Sequence, residues 1–268
     1  MLTGQNATVE GVSTGLRHRR TRPRVHVLHD GVVTARVRSW PGLPDIAHIV
    51  LTDHTQSPTV GAVRSWTEFL RLNGYGMIRT GALSADAGEA FERAGFRTIQ
   101  RLALLCLDDP AALEQLKVIP RPAVAIRALR SKRSLITAAA LDSAAFDQDW
   151  NLDVSGIRDA CRATPAHRIR LAITANDEPA GYMITGRSGS SGFIQRLAVA
   201  PDHQRQGMGT ALLQDGLKWL GRHRVRDILV NTHLDNDQAL NLYSKWGFHR
   251  LEEELQVMEF APALRGEL

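Results

Sequence analysis

The chain has little cysteine. Among 268 residues only Cys106 and Cys161 occur, and nothing around them has metal-ligand spacing. No disulfide framework and no metal is expected, and the thiols read as reduced ones in a cytosolic protein. Lysine is also scarce, at Lys117, Lys132, Lys218 and Lys245 alone, so arginine carries the basic charge. No run approaches 18 apolar residues, which argues against a membrane-spanning helix. The opening MLTGQNATVEGVSTG lacks a charged-then-apolar order, so no secretory signal is read. Two phosphate loops are missing as well. There is no G-x-x-x-x-G-K-S/T, hence no lysine for a γ-phosphate, and no G-x-G-x-x-G dinucleotide fingerprint.

What is present is an ordinary globular composition, 43% hydrophobic and 23% charged, at a length that suits one or two domains. The formal net charge is +5. The densest basic run, Arg17-His18-Arg19-Arg20-Thr21-Arg22-Pro23-Arg24, has no interleaved aromatics. A solvated loop before a strand is the plainer reading, and contact with nucleic acid or a ribosomal surface is the alternative.

The chain is organised around Phe193 to Leu220, FIQRLAVAPDHQRQGMGTALLQDGLKWL. Phe193 to Ala200 is mostly apolar and stops at Pro201, as a buried strand would. Gln204-Arg205-Gln206-Gly207-Met208-Gly209 is polar and carries two glycines. Leu213, Leu217 and Leu220 then recur on one helical face. Strand, glycine-bearing turn and helix start together present free backbone N–H groups and the positive end of a helix dipole. That combination suits a phosphate.

A second stretch, Ile228 to Leu251, reads ILVNTHLDNDQALNLYSKWGFHRL. Ile228 to Val230 signals a strand. Asp235 or Asn236 can cap the next helix, and Gly247-Phe248 ends it. With Q-x-x-G-x-G after V-x-P, and N-x-x-A-x-x-x-Y-x-x-x-G-F downstream, the chain resembles the GCN5-related N-acetyltransferases, the GNAT superfamily.

The resemblance implies several assignments. The loop Gln204, Arg205, Gln206, Gly207, Met208, Gly209 and Thr210 would wrap the pyrophosphate of acetyl-coenzyme A. The backbone of Leu197, Ala198 and Val199 would pair with the pantetheine arm like an added strand, and Asn236 would help hold it. The Val199 N–H would meet the oxyanion, and Tyr243 would sit by the thioester sulfur and protonate it. The reaction implied is direct attack of an amine on acetyl-CoA in a ternary complex, the amine belonging to a small molecule or a protein N-terminus. The base stays open. Where many relatives carry a glutamate stand Gln195 and Asn231, and His233 and Asp153 are weaker candidates. An acetyl-CoA-binding regulatory protein without turnover is a separate reading.

The first half repeats the second. Both run strand, helix, strand, capped helix, G-F, strand. Phe91-Glu92-Arg93-Ala94-Gly95-Phe96 aligns with Tyr243-Ser244-Lys245-Trp246-Gly247-Phe248, and Ser84 falls opposite Asn236. Yet Asp53 to Val63 has no Q-x-x-G-x-G, and Phe91 cannot donate a proton. The expected fold is α/β (α+β): two tandem GNAT-like domains, each a mixed, mostly antiparallel twisted sheet flanked by helices. A degenerate domain would cover 1–118 and a catalytic one 119–268, joined by the proline-bearing segment Pro110 to Pro122. A fragment starting near Pro120 is expected to bind the coenzyme but to be less soluble and poorer at turnover. Ile169 to Ala175 and Ala180 to Thr185 should form a hairpin, with Gly186 to Gly192 as a glycine- and serine-rich loop.

Overall fold

A computed structural model describes residues 25–40, 43–52, 56–108, 124–129 and 131–261. The Arg17–Arg24 run, the Pro110–Pro122 connection and the start of the Asp53–Val63 stretch lie outside the described residues. The first half contains β1 (His26–His29), β2 (Thr34–Trp40), β3 (Leu43–Leu51), α1 (Val60–Leu72), β4 (Met77–Thr80), α2 (Ala85–Arg93) and β5 (Arg97–Asp108). The second contains β6 (Ala125–Ala128), α3 (Lys132–Ala145), α4 (Val154–Arg162), β7 (Ala166–Ile173), β8 (Pro179–Ser188) and β9 (Ser191–Val199). It continues with α5 (Met208–Arg222), β10 (Asp227–His233), α6 (Asp237–Lys245) and β11 (His249–Phe260).

Local chemistry accounts for most boundaries. Asp30 accepts from the N–H groups of Val32 and Val33, and Gly31 takes φ 96°, which turns β1 into β2. Thr59 and Ser84 cap α1 and α2 through their hydroxyls. Gly95 and Gly247 sit at φ 98° and 82° after α2 and α6, where a side chain would be strained. The ring before each glycine turn packs on the phenylalanine after it: Phe91 on Phe96 at 5.0 Å, Tyr243 on Phe248 at 5.5 Å. The same ring contact thus follows α2 and α6.

The sheet is mixed and mostly antiparallel, as expected. Among the described residues only β3–β4 and β9–β10 pair in parallel, each bridged by a helix, α1 or α5. The two halves share one sheet of eleven strands, in the order β1-β2-β3-β4-β11-β5-β10-β9-β8-β7-β6. The last strand of each half is inserted into the other. β11 lies between β4 and β5, and β5 lies between β11 and β10. Core side chains gather beneath α1 and α2 in the first half, and on both faces of β7–β9 in the second.

One expectation is corrected. Gly186 to Gly192 is not a loop: β8 runs to Ser188, β9 starts at Ser191, and only Gly189 and Ser190 turn. The glycines are there because neighbours come close. A Cβ on Gly186 would fall 2.4 Å from Thr164 Oγ1, and one on Gly192 would fall 2.9 Å from Leu220 Cδ1.

The interlocking changes what a fragment should do. Without β5, β10 loses its antiparallel partner from Asp227 to His233, and β11 loses its partner from His249 to Glu259. A fragment starting at Val124 is expected to aggregate or melt without cooperativity, and to co-purify as a folded complex when expressed with residues 1–118. A monomeric, cooperatively melting fragment, seen by calorimetry and sedimentation, would contradict the shared sheet.

Candidate functional site

The site begins as a gap in the sheet. β9 and β10 pair only at Ser191↔Asp227, Gly192↔Ile228 and Phe193↔Leu229. Beyond that both strands continue, β9 to Val199 and β10 to His233, without pairing. A bulge accompanies the divergence. Thr185 faces Ile194 and Ile184 faces Arg196, so Gln195 is the extra residue on β9, and a bulge of this kind bends and twists its strand. The equivalent place in the first half is closed. β3 and β4 pair from Ile46↔Met77 to Ile49↔Thr80, and the Gly81 N–H still donates to Ile49 O at 2.8 Å.

The open edge of β9 offers alternate backbone groups. Ala200 N–H donates to Ala180 O at 2.9 Å, and Val199 stands opposite Gly181. In an antiparallel ladder every second residue points its N–H and C=O at the partner. Ala200 and Ala198 therefore turn toward β8, and Val199 and Leu197 turn into the gap. Of the three expected backbone contacts, two face the gap and Ala198 does not. Gln204 Nε2 donates to Val199 O at 3.2 Å, so this side chain ties the loop to the strand end.

Next comes the start of α5. Side chains cap the other five helices, through Thr59, Ser84, Ser131, Asp153 and Asn236. α5 has Gly207 at its N-cap with φ 83°, no side-chain cap and no acidic residue in its first turn. Glycine in place of a capping side chain costs only a few tenths of a kcal/mol, so the bare start is cheap to keep. Arg205 also adopts a left-handed φ of 60°, uncommon for a residue with a side chain. Loop and helix start thus aim free N–H groups and a positive dipole end outward, with no side-chain cap among the described residues.

Both features open into one cavity of about 1290 Å³, lined among others by Val199, Gly207, Gly209, Thr210, Asn236 and Tyr243. Leu197, Gln204, Arg205 and Met208 line it too, and so does the cation Lys245. Gln206 does not. Its amide donates to Asp202 O and it borders a smaller cavity beside Thr174 and Glu178. Asn236 spends its Oδ1 on the Ala239 N–H at 3.1 Å, which sets the start of α6. Tyr243 is 4% exposed, and burial raises its pKa well above the ordinary phenol value. The ring is thus part of the core beneath α5 and also a wall of the cavity.

The base candidates are placed elsewhere or otherwise engaged. Asp153 caps α4, accepting from Gly156 N–H at 2.7 Å and Ser155 Oγ at 2.8 Å. His233 lines the cavity, but its Nδ1 accepts from the Asp235 N–H at 3.2 Å, which leaves the proton on Nε2. Gln195 turns toward Thr164. Asn231 lines the cavity and is an amide. Among the described lining residues Asp147 is the one carboxylate.

Two groups had no part in the sequence reading. Arg38, Trp40 and His48 of the first half line the same cavity. Below it, fully buried Asp142 of α3 receives Arg196 through Nε and Nη2, both at 2.8 Å, and the Tyr182 hydroxyl at 2.6 Å. Arg196 also donates to Trp150 O at 2.9 Å and stacks 3.6 Å from the Phe146 ring centre. This network fixes β9 beneath the α3–α4 loop. The one sequence signal was a lone aspartate inside the apolar run Leu135 to Phe146. Arg196→Leu would strand that carboxylate in the core and is expected to lower stability by about 3–5 kcal/mol, read from chemical denaturation.

Residues 135–248 match the acetyltransferase (GNAT) family. Mycothiol acetyltransferase of Actinosynnema mirum is 27% identical over 172 residues, 61% of this chain and 57% of that protein. The ribosomal-protein-bS18-alanine N-acetyltransferase of Escherichia coli is 31% identical over 81 residues, 30% of this chain and 55% of that one. The chain thus spans just over half the length of these relatives. In structure it is similar to a tandem GNAT protein from the clavulanic acid biosynthesis pathway, with TM-score 0.62 and 14% identity over 88% of this chain and 82% of that one. The gapped strand pair, the uncapped helix and the matched residues lead to one conclusion: residues 135–248 are similar to the GNAT acetyltransferases in sequence and in fold.

Proposed function

We propose that this chain is an N-acetyltransferase that moves the acetyl group of acetyl-CoA to an amine. One observation carries the reading: the unpaired edge of β9, the uncapped start of α5 and Tyr243 all open into one cavity. When bound, the coenzyme supplies a thioester whose acyl carbon is open to amine attack. Residues present fit it. The N–H groups of Gly207, Gly209 and Thr210 would take pyrophosphate oxygens, and Arg205 and Lys245 add positive charge. Leu197 and Val199 would hydrogen-bond the pantetheine arm as an added strand does.

The chain's own residues would then act in sequence. The Val199 N–H donates to the oxygen that becomes negative as nitrogen bonds to the acyl carbon. Tyr243 gives its hydroxyl proton to the sulfur as the C–S bond breaks. Raised by burial, its pKa keeps it protonated and unsuited to act as a base. The amine loses its proton to water in the cavity, and a proton from solvent restores Tyr243.

The first half reads as a degenerate copy, and its boundary with the second falls within the connection after β5. Its closed β3–β4 pair and its buried Phe91 leave neither an edge nor a proton for a coenzyme. Calorimetric titration of the whole chain should therefore give one equivalent of bound acetyl-CoA, and two would refute the degenerate copy.

Gly209→Ala tests the loop. A methyl there meets Leu242 Cδ2 at 3.4 Å and Val199 Cγ2 at 3.8 Å, so the fold tolerates it, while the bare helix start is lost. Coenzyme affinity should fall about tenfold or more, 1.4 kcal/mol, with the melting temperature unchanged. Tyr243→Phe separates transfer from mere binding. It should keep coenzyme affinity and lower the rate constant about a hundredfold or more. A chain that binds acetyl-CoA but acetylates no amine would be a regulatory binder instead. Tyr243 works in its neutral form, which is lost only above its raised pKa. The pH–rate profile should therefore show no falling limb below about pH 10.

A further inference from the structure

One end of the cavity is built by the first half of the chain. Arg38 and Trp40 of β2 and His48 of β3 line it with Phe146 and Trp150 of the α3–α4 loop. Strand alternation explains their place. Ala47, Ile49 and Leu51 turn into the core under α1, so His48 lies on the other face of the sheet. Arg38 stands opposite it in the β2–β3 register, with Val37 in the core. Both α1 and α2 pack on the core face. The α3–α4 segment meets the other face: the Trp40 and Trp150 rings meet edge-on at 5.8 Å, and Arg38 Nη1 lies 3.0 Å from Asp159. Arg79 Nη2 adds a longer pairing to Asp149 at 3.9 Å.

Two properties follow. The first is closure. The tryptophan contact and the two ion pairs bridge the seam between halves at this end, and Trp40 is only 7% exposed. A polypeptide acceptor would need a groove that continues past its first residues. The second is a surplus of donors. Trp40 Nε1 and Arg38 Nη1 are buried and make no hydrogen bond, Arg38 keeping Asp159 at ion-pair distance only; His48 Nδ1 beside them is also unpartnered and donates or accepts according to its tautomer. Indole and guanidinium N–H groups can only donate. The ring of Trp40 is already occupied by His48 at 4.7 Å and the Arg79 guanidinium at 5.3 Å, which leaves its N–H edge for a ligand. His48 is neutral, its pKa pushed down to about 3 by burial, with Arg38 alongside. A ligand that satisfies this end must bring oxygen acceptors, and beside an arginine a carboxylate does so best.

We propose that the first half of the chain forms the acceptor pocket, and that Arg38 and Trp40 select a small primary amine bearing a carboxylate over a polypeptide N-terminus. This rests on the acetyltransferase reading. The test offers α-, β- and ω-amino acids, their carboxamides, and tripeptides with the same first residues, each with acetyl-CoA, and follows thiol release. At least one amino acid should exceed its carboxamide tenfold or more in kcat/KM, and the tripeptides should be poorer still. Arg38→Gln should raise KM for that amino acid tenfold or more, with coenzyme affinity unchanged in calorimetry. Trp40→Phe keeps the ring packing, deletes the N–H, and should move the same KM. Equal rates for acid and amide, preference for tripeptides, or no turnover of any amino acid by a chain that binds acetyl-CoA would overturn the proposal. Failure of the chain to bind acetyl-CoA would instead overturn the acetyltransferase reading beneath it.

Discussion

The antiparallel pairing of β5 with β11 is the constraint on which the rest depends. It runs from Cys106↔His249 to Arg97↔Glu259 at the centre of the sheet, and each strand belongs by sequence to one half and by position to both. Because β5 also holds the far edge of β10, from Leu102↔His233 to Asp108↔Asp227, β10 is anchored on one side while its other side parts from β9. A strand that separates from its neighbour would normally leave an edge prone to wrong pairing. Here the first half supplies the clamp. A copy without a loop or an acid of its own therefore still has a mechanical role in the second half's chemistry.

The same pairing sets the walls of the cavity. It brings the face of β2 and β3 opposite α1 up against the α3–α4 loop, so that residues far apart in sequence, Trp40 and Trp150, touch. Ala-rich α3 would be a poor anchor through apolar packing alone. Its buried Asp142 compensates, holding Arg196 on β9 and Tyr182 on β8. Such a pair adds little net stability over an apolar one, since desolvation offsets most of the attraction. What it does fix is register, because the bidentate fork accepts one placement of β9 next to its bulge.

Much of this was legible in the residues. Helical periodicity located α1 and α5, capping residues located the starts of α2 and α6, and the two G-F steps located the ends of α2 and α6. Those signals are local, a few residues long, and tied to backbone chemistry. The pairing partners of β5 and β11 were not legible, because an apolar strand such as Thr98 to Leu107 carries no mark of which neighbour it takes. For the same reason the contribution of Arg38, Trp40 and His48 was invisible: they meet the cavity only through that pairing. Gly186 and Gly192 misled because glycine serves turns and close approach alike, and only the positions of Thr164 and Leu220 separate the two. Ala198 was misplaced by one step of alternation, which register alone decides.

The places where local rules fail are concentrated at the cavity. α5 begins without a cap, Arg205 takes a left-handed conformation, Gln195 bulges out of β9, and two strands part before their ends. The left-handed Arg205 alone costs on the order of 1 kcal/mol, and the glycine cap a few tenths more. The first half, whose order from β3 to β5 matches that from β9 to β11, avoids the two that can be compared directly: α1 is capped by Thr59, and β4 stays paired with β3 to its end at Thr80. A repeat unit of this kind is therefore stable with its strands closed and its helix capped, and opening it must be maintained against that preference. The second half maintains it with a buried ion pair on one side of β9 and a borrowed strand on the far side of β10. The free N–H groups that result are worth their strain only to a ligand that answers them, which is why the open repeat, and not the closed one, carries the site.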